Sequence, residues 1–335
     1  MFHLSLGKNS TARPGGANPL MLEAQKTEGT DPRVRLPLIA VVGPTASGKT
    51  SLAVALAHEL NGEVVNADSV QIYRYFDIGS GKASNAEQQG ITHHMLSYVD
   101  PDEEMDASLF SAAALSAIAD IHARGKTPIV CGGTFLWVRA LLYGLAPAPP
   151  KDEAVRERHR QFVDSNGRSA LHARLRQADP ASAERLNPND FVRVSRALEV
   201  HELTGKPLST FQAAHGFKRP RFNHRLLGVH WTPEQLTERI RARVTQMLQS
   251  GWEQEVRSLI EQGYAKTRPM NAVGYRQVYA ALAADTPPSR EALVEEITRA
   301  TRIFARRQRT WLRDEPVEWK PGLAPGYHGN GTLPK

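Results

Sequence analysis

The order of apolar and polar residues in the first half of the chain predicts alternating strands and helices. Residues 36–42 form a short, continuous apolar run, which is typical of a strand buried on both faces of a parallel sheet. After a glycine-rich turn, Leu52, Leu56 and Leu60 recur at every fourth position and predict one apolar helix face. Further strands are predicted at 63–67 and 127–131, and further helices at 107–124 and 135–143. This alternation predicts an α/β fold with a parallel sheet covered by helices.

The pattern changes after the proline-rich segment 145–150. From 151 to 225 the sequence is helical and charged, and its 15 Lys/Arg against 9 Asp/Glu supply +6 of the chain's net charge of +7. A strand-like run returns at 226–231, and the capping signal T-P-E-Q at 232–235 predicts the start of another helix. We therefore predict four parts: a disordered extension at 1–36, a core at 37–145 and 226–314, an all-helical insertion at 146–225, and a flexible tail at 315–335.

Composition narrows the class of protein. No apolar stretch reaches the ~18 residues that a membrane span needs, so we expect no membrane partner. We also expect a cytoplasmic protein and a monomer. A single cysteine, Cys131, excludes a disulfide framework within the chain and favours a buried strand residue over a nucleophile. The adjacent His93 and His94 have no evident third ligand, which favours a structural role over a metal site. The basic charge is compatible with a nucleic-acid partner.

Residues 43–50, GPTASGKT, fit the phosphate-binding pattern G-x-x-x-x-G-K-[ST], between a predicted strand and a predicted helix. Backbone N–H groups of such a loop surround phosphate oxygens, and the following helix adds its dipole. Lys49 supplies a mobile positive charge, and the Thr50 hydroxyl is a ligand for Mg²⁺. Loops of this form are common in nucleotide-binding proteins, ATP-binding ones included. The predicted phosphate-binding residues are Gly43, Thr45, Ala46, Ser47, Gly48, Lys49 and Thr50.

Residues around the loop bear on which phosphate compound is bound. The strand at 129–131 ends in Gly-Gly-Thr, without the acid with which P-loop ATPases usually hold Mg²⁺. No Asn-Lys-x-Asp motif is present, which argues against a GTPase. The acid that does follow a predicted strand is Asp68, which is a candidate metal-side carboxylate or general base. Arg239 and Arg243, four residues apart on a predicted helix, are candidates to close over the phosphates, or else form a solvated helix face.

Several motifs together carry a resemblance to a known family. The phosphate loop, followed by NADSVQIY at 66–73, DIGSGK at 77–82 and GGT at 132–134, resembles bacterial tRNA dimethylallyltransferases. The resemblance continues, in the same order, at 189–199, 273–277 and 306–313. It implies a P-loop NTPase-like core carrying an inserted helical module.

The resemblance also implies an activity and a set of site residues. The donor would be dimethylallyl diphosphate, and the acceptor N6 of the adenosine 3′ of the anticodon, in tRNAs that read codons beginning with U. Asp68 would be the base near N6, and Thr134 would lie close to the reacting bond. Contacts to the anticodon stem-loop of tRNA are implied for Asp68, Ser69, Val70, Gln71, Arg156, Val192, Arg193, Val194, Ser195, Arg196, Asn271, Ala272, Val273, Gly274, Tyr275, Arg276, Arg306, Arg307, Gln308, Arg309, Thr310, Trp311, Leu312 and Arg313.

An arginine stripe near the carboxyl end supports a polyanionic partner independently. Its members fall on one side of a predicted helix without an intervening acid: Arg299, Arg302, Arg306, Arg309 and Arg313. Exposed helix faces usually mix both signs of charge, so this stripe favours nucleic acid.

Three alternative functions remain open from the sequence. An adenylate isopentenyltransferase would share the donor but act on a free nucleotide, and the basic insertion with the arginine stripe favours a polynucleotide instead. A small-molecule kinase is disfavoured because no acid precedes Gly132. A non-catalytic tRNA-binding protein is disfavoured by the intact phosphate loop together with Asp68 and Thr134.

Overall fold

The computed structural model describes residues 36–322, and its centre is a six-stranded sheet. The strands are β1 (Pro37–Val42), β2 (Gly62–Asn66), β3 (His93–His94), β4 (Thr127–Gly132), β5 (Asn223–His230) and β6 (Val317–Pro321). Their spatial order is β3-β2-β4-β1-β5-β6, and every neighbouring pair is parallel. The predicted α/β fold with a parallel sheet is confirmed. The extension predicted at 1–36 lies almost wholly outside the described residues.

Thirteen α-helices occur within residues 36–322. They are α1 (Lys49–Glu59), α2 (Asn85–Gln88), α3 (Ala107–Ala123), α4 (Phe135–Tyr143), α5 (Glu153–Asn166), α6 (Arg168–Ala178), α7 (Pro180–Arg185), α8 (Phe191–Thr204), α9 (Leu208–His215), α10 (Pro233–Gln249), α11 (Trp252–Glu261), α12 (Tyr275–Ala283) and α13 (Arg290–Leu312). Two short 3₁₀ turns, Tyr264–Lys266 and Pro269–Asn271, precede α12.

Strand β1 lies near the middle of the sheet, between β4 and β5, and all its residues are buried. Its alternate side chains belong to different cores: Leu38 and Val42 to the larger one, Ile39 and Val41 to the one that α1 covers. A strand covered on both faces needs apolar residues at every position, which explains the uninterrupted apolar run. Cys131 on β4 is buried, and burial raises the pKa of its thiol to about 11.

Helices α5–α9 have a hydrophobic cluster of their own, which includes Leu171, Leu175, Val194 and Leu198. Side chains of aspartates cap several of these helices; Asp152 accepts from the N–H of Val155 at the start of α5. The segment that the sequence marks as an insertion therefore has a small core separate from the two sheet cores.

Two boundaries differ from the sequence prediction by more than one residue. Strand β5 begins at Asn223 and not at 226, because β1 pairs with it from Pro37 onward. The tail predicted as flexible from 315 contains β6, which pairs with β5 over Val317–Pro321. Trp319 packs across Gly228 of β5, where any Cβ would collide with its ring. Within residues 36–322, no helix has the length and apolar character needed to cross a membrane.

Candidate active site

Three adjacent parallel strands end at one edge of the sheet, and each is followed by a predicted site residue. The phosphate loop follows β1, Asp68 follows β2, and Thr134 follows β4. Because β2, β4 and β1 are parallel neighbours, their carboxyl ends bring these segments together. The close approach is visible at Gly132, where a Cβ would collide with the backbone of Ala67.

Two side chains of the phosphate loop, Ser47 and Lys49, make no hydrogen bond outside the loop within residues 36–322. The Ser47 hydroxyl is buried and has no hydrogen-bond partner among residues 36–322. The Lys49 ammonium donates to the carbonyl of Pro44 at 2.7 Å. Burial lowers the pKa of Lys49, and the charge of Asp68 opposes that change. A phosphate in the loop would provide acceptors for both side chains.

Asp68 is held by its own turn. Its Oδ1 accepts from the N–H groups of Val70 at 2.9 Å and Gln71 at 3.3 Å. No partner is found for its Oδ2 among the described residues. The Thr134 hydroxyl accepts from the Ser69 N–H at 2.9 Å and donates to the Ser69 hydroxyl at 3.1 Å. One oxygen of Asp68 is thus fixed, and the other has no protein partner within residues 36–322.

Arg239 and Arg243 extend from α10 to two loops at this edge. Arg239 Nε donates to the Ala46 carbonyl at 2.9 Å, and its guanidinium lies 4.3 Å from the centre of the Trp231 ring. Arg243 donates to the carbonyls of Ser80 and Gly81 at 3.4 and 3.3 Å. Arg239 therefore contacts the phosphate loop and Arg243 the turn at 80–81, and both side chains are half-buried.

Gln308 connects α13 to the phosphate loop. Its Oε1 accepts from the Thr45 N–H at 2.9 Å, and its Nε2 donates to the Gly133 carbonyl at 2.9 Å. The resemblance implied a tRNA contact for Gln308, but its side chain is largely buried between two loops of the site. In the free protein it positions those loops.

The residues implied to contact tRNA divide into exposed and buried groups. Exposed side chains are Val192, Arg193, Asn271, Arg276, Arg306, Arg307, Arg309, Thr310, Trp311 and Arg313. Half-buried residues are Ser69, Val70, Gln71, Arg156, Arg196, Ala272 and Val273. The exposed members lie on α8, around the start of α12, and on or just after α13.

Several other residues of the implied tRNA-contact set have little exposed surface in this structure, and their contact with tRNA stays a prediction. Val194, Ser195, Tyr275 and Leu312 are buried, and so is Gly274. The periodicity of each helix explains this, because a contiguous motif on a helix must turn some of its residues towards the core. Arg156 and Arg196 both form ion pairs with the buried carboxylate of Glu199, at 2.9 and 2.5 Å. Their charges are therefore already paired within the insertion.

The arginine stripe lines a cleft of about 850 Å³ between α10, α13 and the end of β5. Trp231 and Trp319 line the same cleft, and Pro44 of the phosphate loop borders it. Among residues 36–322, Arg299, Arg302, Arg306 and Arg309 form no ion pair, and Arg313 has only Asp314 at 3.9 Å. These guanidinium groups are therefore available to an anionic ligand.

One residue near the site, Glu255, was not identified by sequence patterns. Glu255 on α11 binds the backbone of the turn at 77–79, next to the carbonyls that Arg243 contacts. Its partners precede it by up to 178 residues, and no local pattern reports such a contact.

Comparison with known proteins agrees with the geometry. The model of the IPP transferase family matches residues 71–315. A tRNA dimethylallyltransferase of Sorangium cellulosum is 55% identical over 84% of this chain and 89% of its own. A tRNA isopentenylpyrophosphate transferase structure from Bacillus halodurans has a TM-score of 0.62 at 36% identity, covering 85% of this chain and 89% of that one.

A structure of a eukaryotic dimethylallyltransferase acting on tRNA has a TM-score of 0.73 at 28% identity, covering 86% of this chain and 74% of that one. Both the family model and the curated relative cover well over half of the sequence. The chain belongs to the IPP transferase family.

Proposed function

We propose that this protein transfers a dimethylallyl group from dimethylallyl diphosphate to N6 of the adenosine 3′ of the anticodon, in tRNAs that read codons beginning with U. The observation that carries the proposal is the meeting of the phosphate loop, Asp68 and Thr134 at one sheet edge, in a chain of this family. The named relatives act on tRNA, which supports a polynucleotide acceptor over free adenylate.

The donor's diphosphate would occupy the phosphate loop, where the Ser47 hydroxyl lacks a partner and Lys49 folds onto Pro44. As the C–O bond to the diphosphate breaks, negative charge grows on the leaving oxygens. Loop N–H groups, Lys49 and the guanidinium groups of Arg239 and Arg243 stabilise that charge. Their preorganisation around the loop lowers the barrier more than it strengthens ground-state binding.

We also propose Mg²⁺ as the metal partner of the diphosphate. Residues 36–322 contain no cluster of three His, Cys, Asp or Glu side chains, so phosphate oxygens, water and the Thr50 hydroxyl would supply its ligands. Oxygen donors of this kind fit Mg²⁺, which would neutralise charge on the leaving diphosphate.

The acceptor amine needs a base because its lone pair is delocalised into the adenine ring. Asp68 supplies a carboxylate whose Oδ1 is fixed by Val70 and Gln71, while Oδ2 is available. A proton can pass to that oxygen as the C–N bond forms. Thr134 lies between this turn and the loop, held through Ser69, where it can orient the reacting groups.

Two parts of the protein would hold the tRNA. The helical insertion at 146–225 presents Val192 and Arg193, and α13 presents its arginine stripe. The stripe borders the phosphate loop through Pro44, so a tRNA bound there lies next to the site. Phosphate contacts of this kind position an RNA without reading its sequence.

A substrate test separates the proposal from its alternatives. Purified protein is incubated with labelled dimethylallyl diphosphate and Mg²⁺, with either total tRNA or AMP as acceptor. We expect label in tRNA as N6-modified adenosine and none in AMP. Label in AMP alone would indicate an adenylate isopentenyltransferase. ATP hydrolysis at a kinase-like rate, without use of the allylic donor, would overturn the proposal.

A further inference from the structure

One carboxylate and one phenol bind four consecutive backbone N–H groups beside the site. Glu255 accepts from the N–H groups of the turn at 77–79, at distances of 3.0, 2.6 and 3.1 Å. The Tyr275 hydroxyl donates to Glu255 Oε1 at 2.6 Å and accepts from the Ser80 N–H at 3.1 Å. Glu255 lies on α11 and Tyr275 on α12, so two helices from the C-terminal half hydrogen-bond to a turn of the N-terminal half.

The opposite side of the same turn faces the site. The carbonyls of Ser80 and Gly81 accept from Gln71 Nε2 at 3.2 and 3.1 Å. The same two carbonyls accept from the Arg243 guanidinium at 3.4 and 3.3 Å. The turn therefore lies between Glu255 on one side and, on the other, Gln71 and Arg243, for which substrate contacts are predicted.

Close packing leaves the turn little freedom to shift. A Cβ at Gly79 would collide with the indole of Trp252, whose side chain is buried. Lys82, which follows the turn, is also held in place: its ammonium donates to the Tyr73 carbonyl at 2.8 Å and to the Asp77 carboxylate. A displacement of the N–H groups would consequently be passed to the carbonyls that hold Gln71 and Arg243.

An ionised carboxylate suits this set of donors better than an amide does. It offers two oxygens that only accept, whereas a glutamine would turn an NH₂ group towards N–H donors. Hydrogen bonds to an ionised acceptor are also stronger than neutral ones. Burial and the charge of Glu255 raise the pKa of Tyr275 well above its ordinary value, so the phenol keeps the proton that it donates.

We propose that Glu255 is a positioning residue, which holds the turn at 77–81 so that its carbonyls orient Arg243 towards the diphosphate and Gln71 towards the acceptor. This inference rests on the proposed transferase function, since that function gives Arg243 and Gln71 their roles. Glu255 itself touches no reacting atom.

The test compares Glu255→Gln with Glu253→Gln, a matched control on the same helix. Glu253 is a surface residue that pairs with Arg290 at 2.8 Å and does not touch the turn. For Glu255→Gln we expect kcat to fall by about tenfold or more, with a smaller rise in the KM for dimethylallyl diphosphate, because Arg243 contributes most as charge develops. Glu253→Gln should retain wild-type kinetics. A kcat for Glu255→Gln within twofold of the control would overturn the inference.

A double-mutant cycle tests whether the effect passes through Arg243. If Glu255 acts by placing Arg243, then Arg243→Lys and Glu255→Gln together should cost little more than Arg243→Lys alone. A purely structural role would lower the melting temperature but leave the two kinetic effects independent. Additive effects, measured well below the melting temperature, would therefore refute the positioning of Arg243 by Glu255.

Two measurements need no transferase activity, so they keep this inference separate from the proposed function. Amide hydrogen exchange at residues 77–80 should accelerate at least about tenfold in Glu255→Gln, and inorganic pyrophosphate should bind more weakly than to Glu253→Gln. If Glu255→Gln does not fold, Tyr275→Phe removes one bond of the same set and should change exchange and pyrophosphate affinity in the same direction. Unchanged exchange and affinity would count against the inference even if the wild type modifies tRNA.

Discussion

The insertion and helix α13 both appear in the sequence as basic helical segments, yet they use arginine differently. In the insertion, Arg156 and Arg196 bind Glu199, whose side chain is completely buried, and Glu199 also accepts from the Asp152 N–H at 2.6 Å. Every charge of this group has a partner, so the group holds helices α5 and α8 together.

On α13 the arginines that line the cleft are exposed and form no ion pair with residues 36–322, apart from the 3.9 Å contact of Arg313 to Asp314. The candidate site shows the same feature on a smaller scale, since the Ser47 hydroxyl and one oxygen of Asp68 have no partner within the described chain. We call a polar group saturated when its charge or hydrogen-bonding capacity is met by partners within the protein, and unsaturated when it is not. Saturated groups stabilise the fold, whereas unsaturated ones are free for a ligand. Composition alone does not separate the two kinds.

The largest effect should come from the unsaturated carboxylate of the site. Asp68→Asn keeps an oxygen for the N–H groups of Val70 and Gln71, so the turn and the free energy of unfolding should be unchanged. Because an amide does not accept the proton, kcat should fall by about 10²–10⁴. Steady-state kinetics and urea unfolding measure the two quantities. Asp164→Asn, at an exposed position of the insertion, is the control and should change neither. Near-normal kcat in Asp68→Asn would remove the assigned base.

Glu199→Gln should show the reverse result, because its carboxylate is already saturated. Removing one partner of a buried ion pair should lower the free energy of unfolding by about 3 kcal/mol, since Arg156 and Arg196 lose their counter-charge. Residual transfer activity below the unfolding transition should remain. Glu184→Gln, on the exposed side of α7, should change stability by less than about 0.5 kcal/mol. Equal urea midpoints for Glu199→Gln and wild type would mean that the buried group adds no stability.

A triple substitution of Arg302, Arg306 and Arg309 to glutamine tests the unsaturated stripe. Each tRNA phosphate that the variant no longer neutralises should reduce the slope of log affinity against log salt, by up to about three for the set. Binding of pyrophosphate should be unchanged, because the phosphate loop binds it separately. Titrations of tRNA at several salt concentrations measure the slope. If the slope equals that of the wild type, the stripe does not contact tRNA phosphates.

The pH dependence of the unfolding free energy also distinguishes the buried group at Glu199 from the arginine stripe of α13. Burial would raise the pKa of Glu199, but hydrogen bonds from Arg156 and Arg196 outweigh it and lower the pKa below the ordinary 4.5. A carboxyl group with a lowered pKa in the folded state adds stability above its unfolded value, and this is lost as pH falls below 4.5. Unfolding free energy measured from pH 6 to pH 3 should therefore fall less steeply in Glu199→Gln. The triple variant of α13 should retain the wild-type slope, and an equal or steeper slope in Glu199→Gln would contradict the assignment.

Local patterns predicted the parts of the site that neighbouring residues define. The phosphate loop lies between β1 and α1, and β2 and β4 precede Asp68 and Thr134, where periodicity and motif spacing indicated. Each depends on contacts within one strand–turn–helix unit, which sequence order records directly. The contact of Arg239 with Ala46 spans 193 residues, and no local pattern predicts it.

The contacts that the sequence did not predict are remote in the chain. Gln308 binds the Thr45 N–H across 263 residues. Strand β6 has charged residues between its apolar ones and lies half-exposed at the sheet edge, so it carries no continuous apolar signal. Its strand conformation depends on pairing with β5 and on Trp319 packing over Gly228.

The smallest expected effect is a gain in stability on removing one arginine of the stripe, which requires that the arginine has no acidic partner. Arg306 has Arg302 one turn before it and Arg309 one turn after it, and no acid of the described chain offsets their charges. Like charges at these spacings weaken a helix, so Arg306→Gln should raise the free energy of unfolding by about 0.2–0.5 kcal/mol at low salt. The gain should vanish near 1 M salt, where the Debye length is about 3 Å. Arg158→Gln in the insertion breaks a pair with Glu202 at 3.0 Å and should not stabilise at any salt concentration. Urea unfolding at both salt concentrations decides the matter: destabilisation by Arg306→Gln at low salt would show that this side chain already has a stabilising partner, and would end the distinction between the two regions.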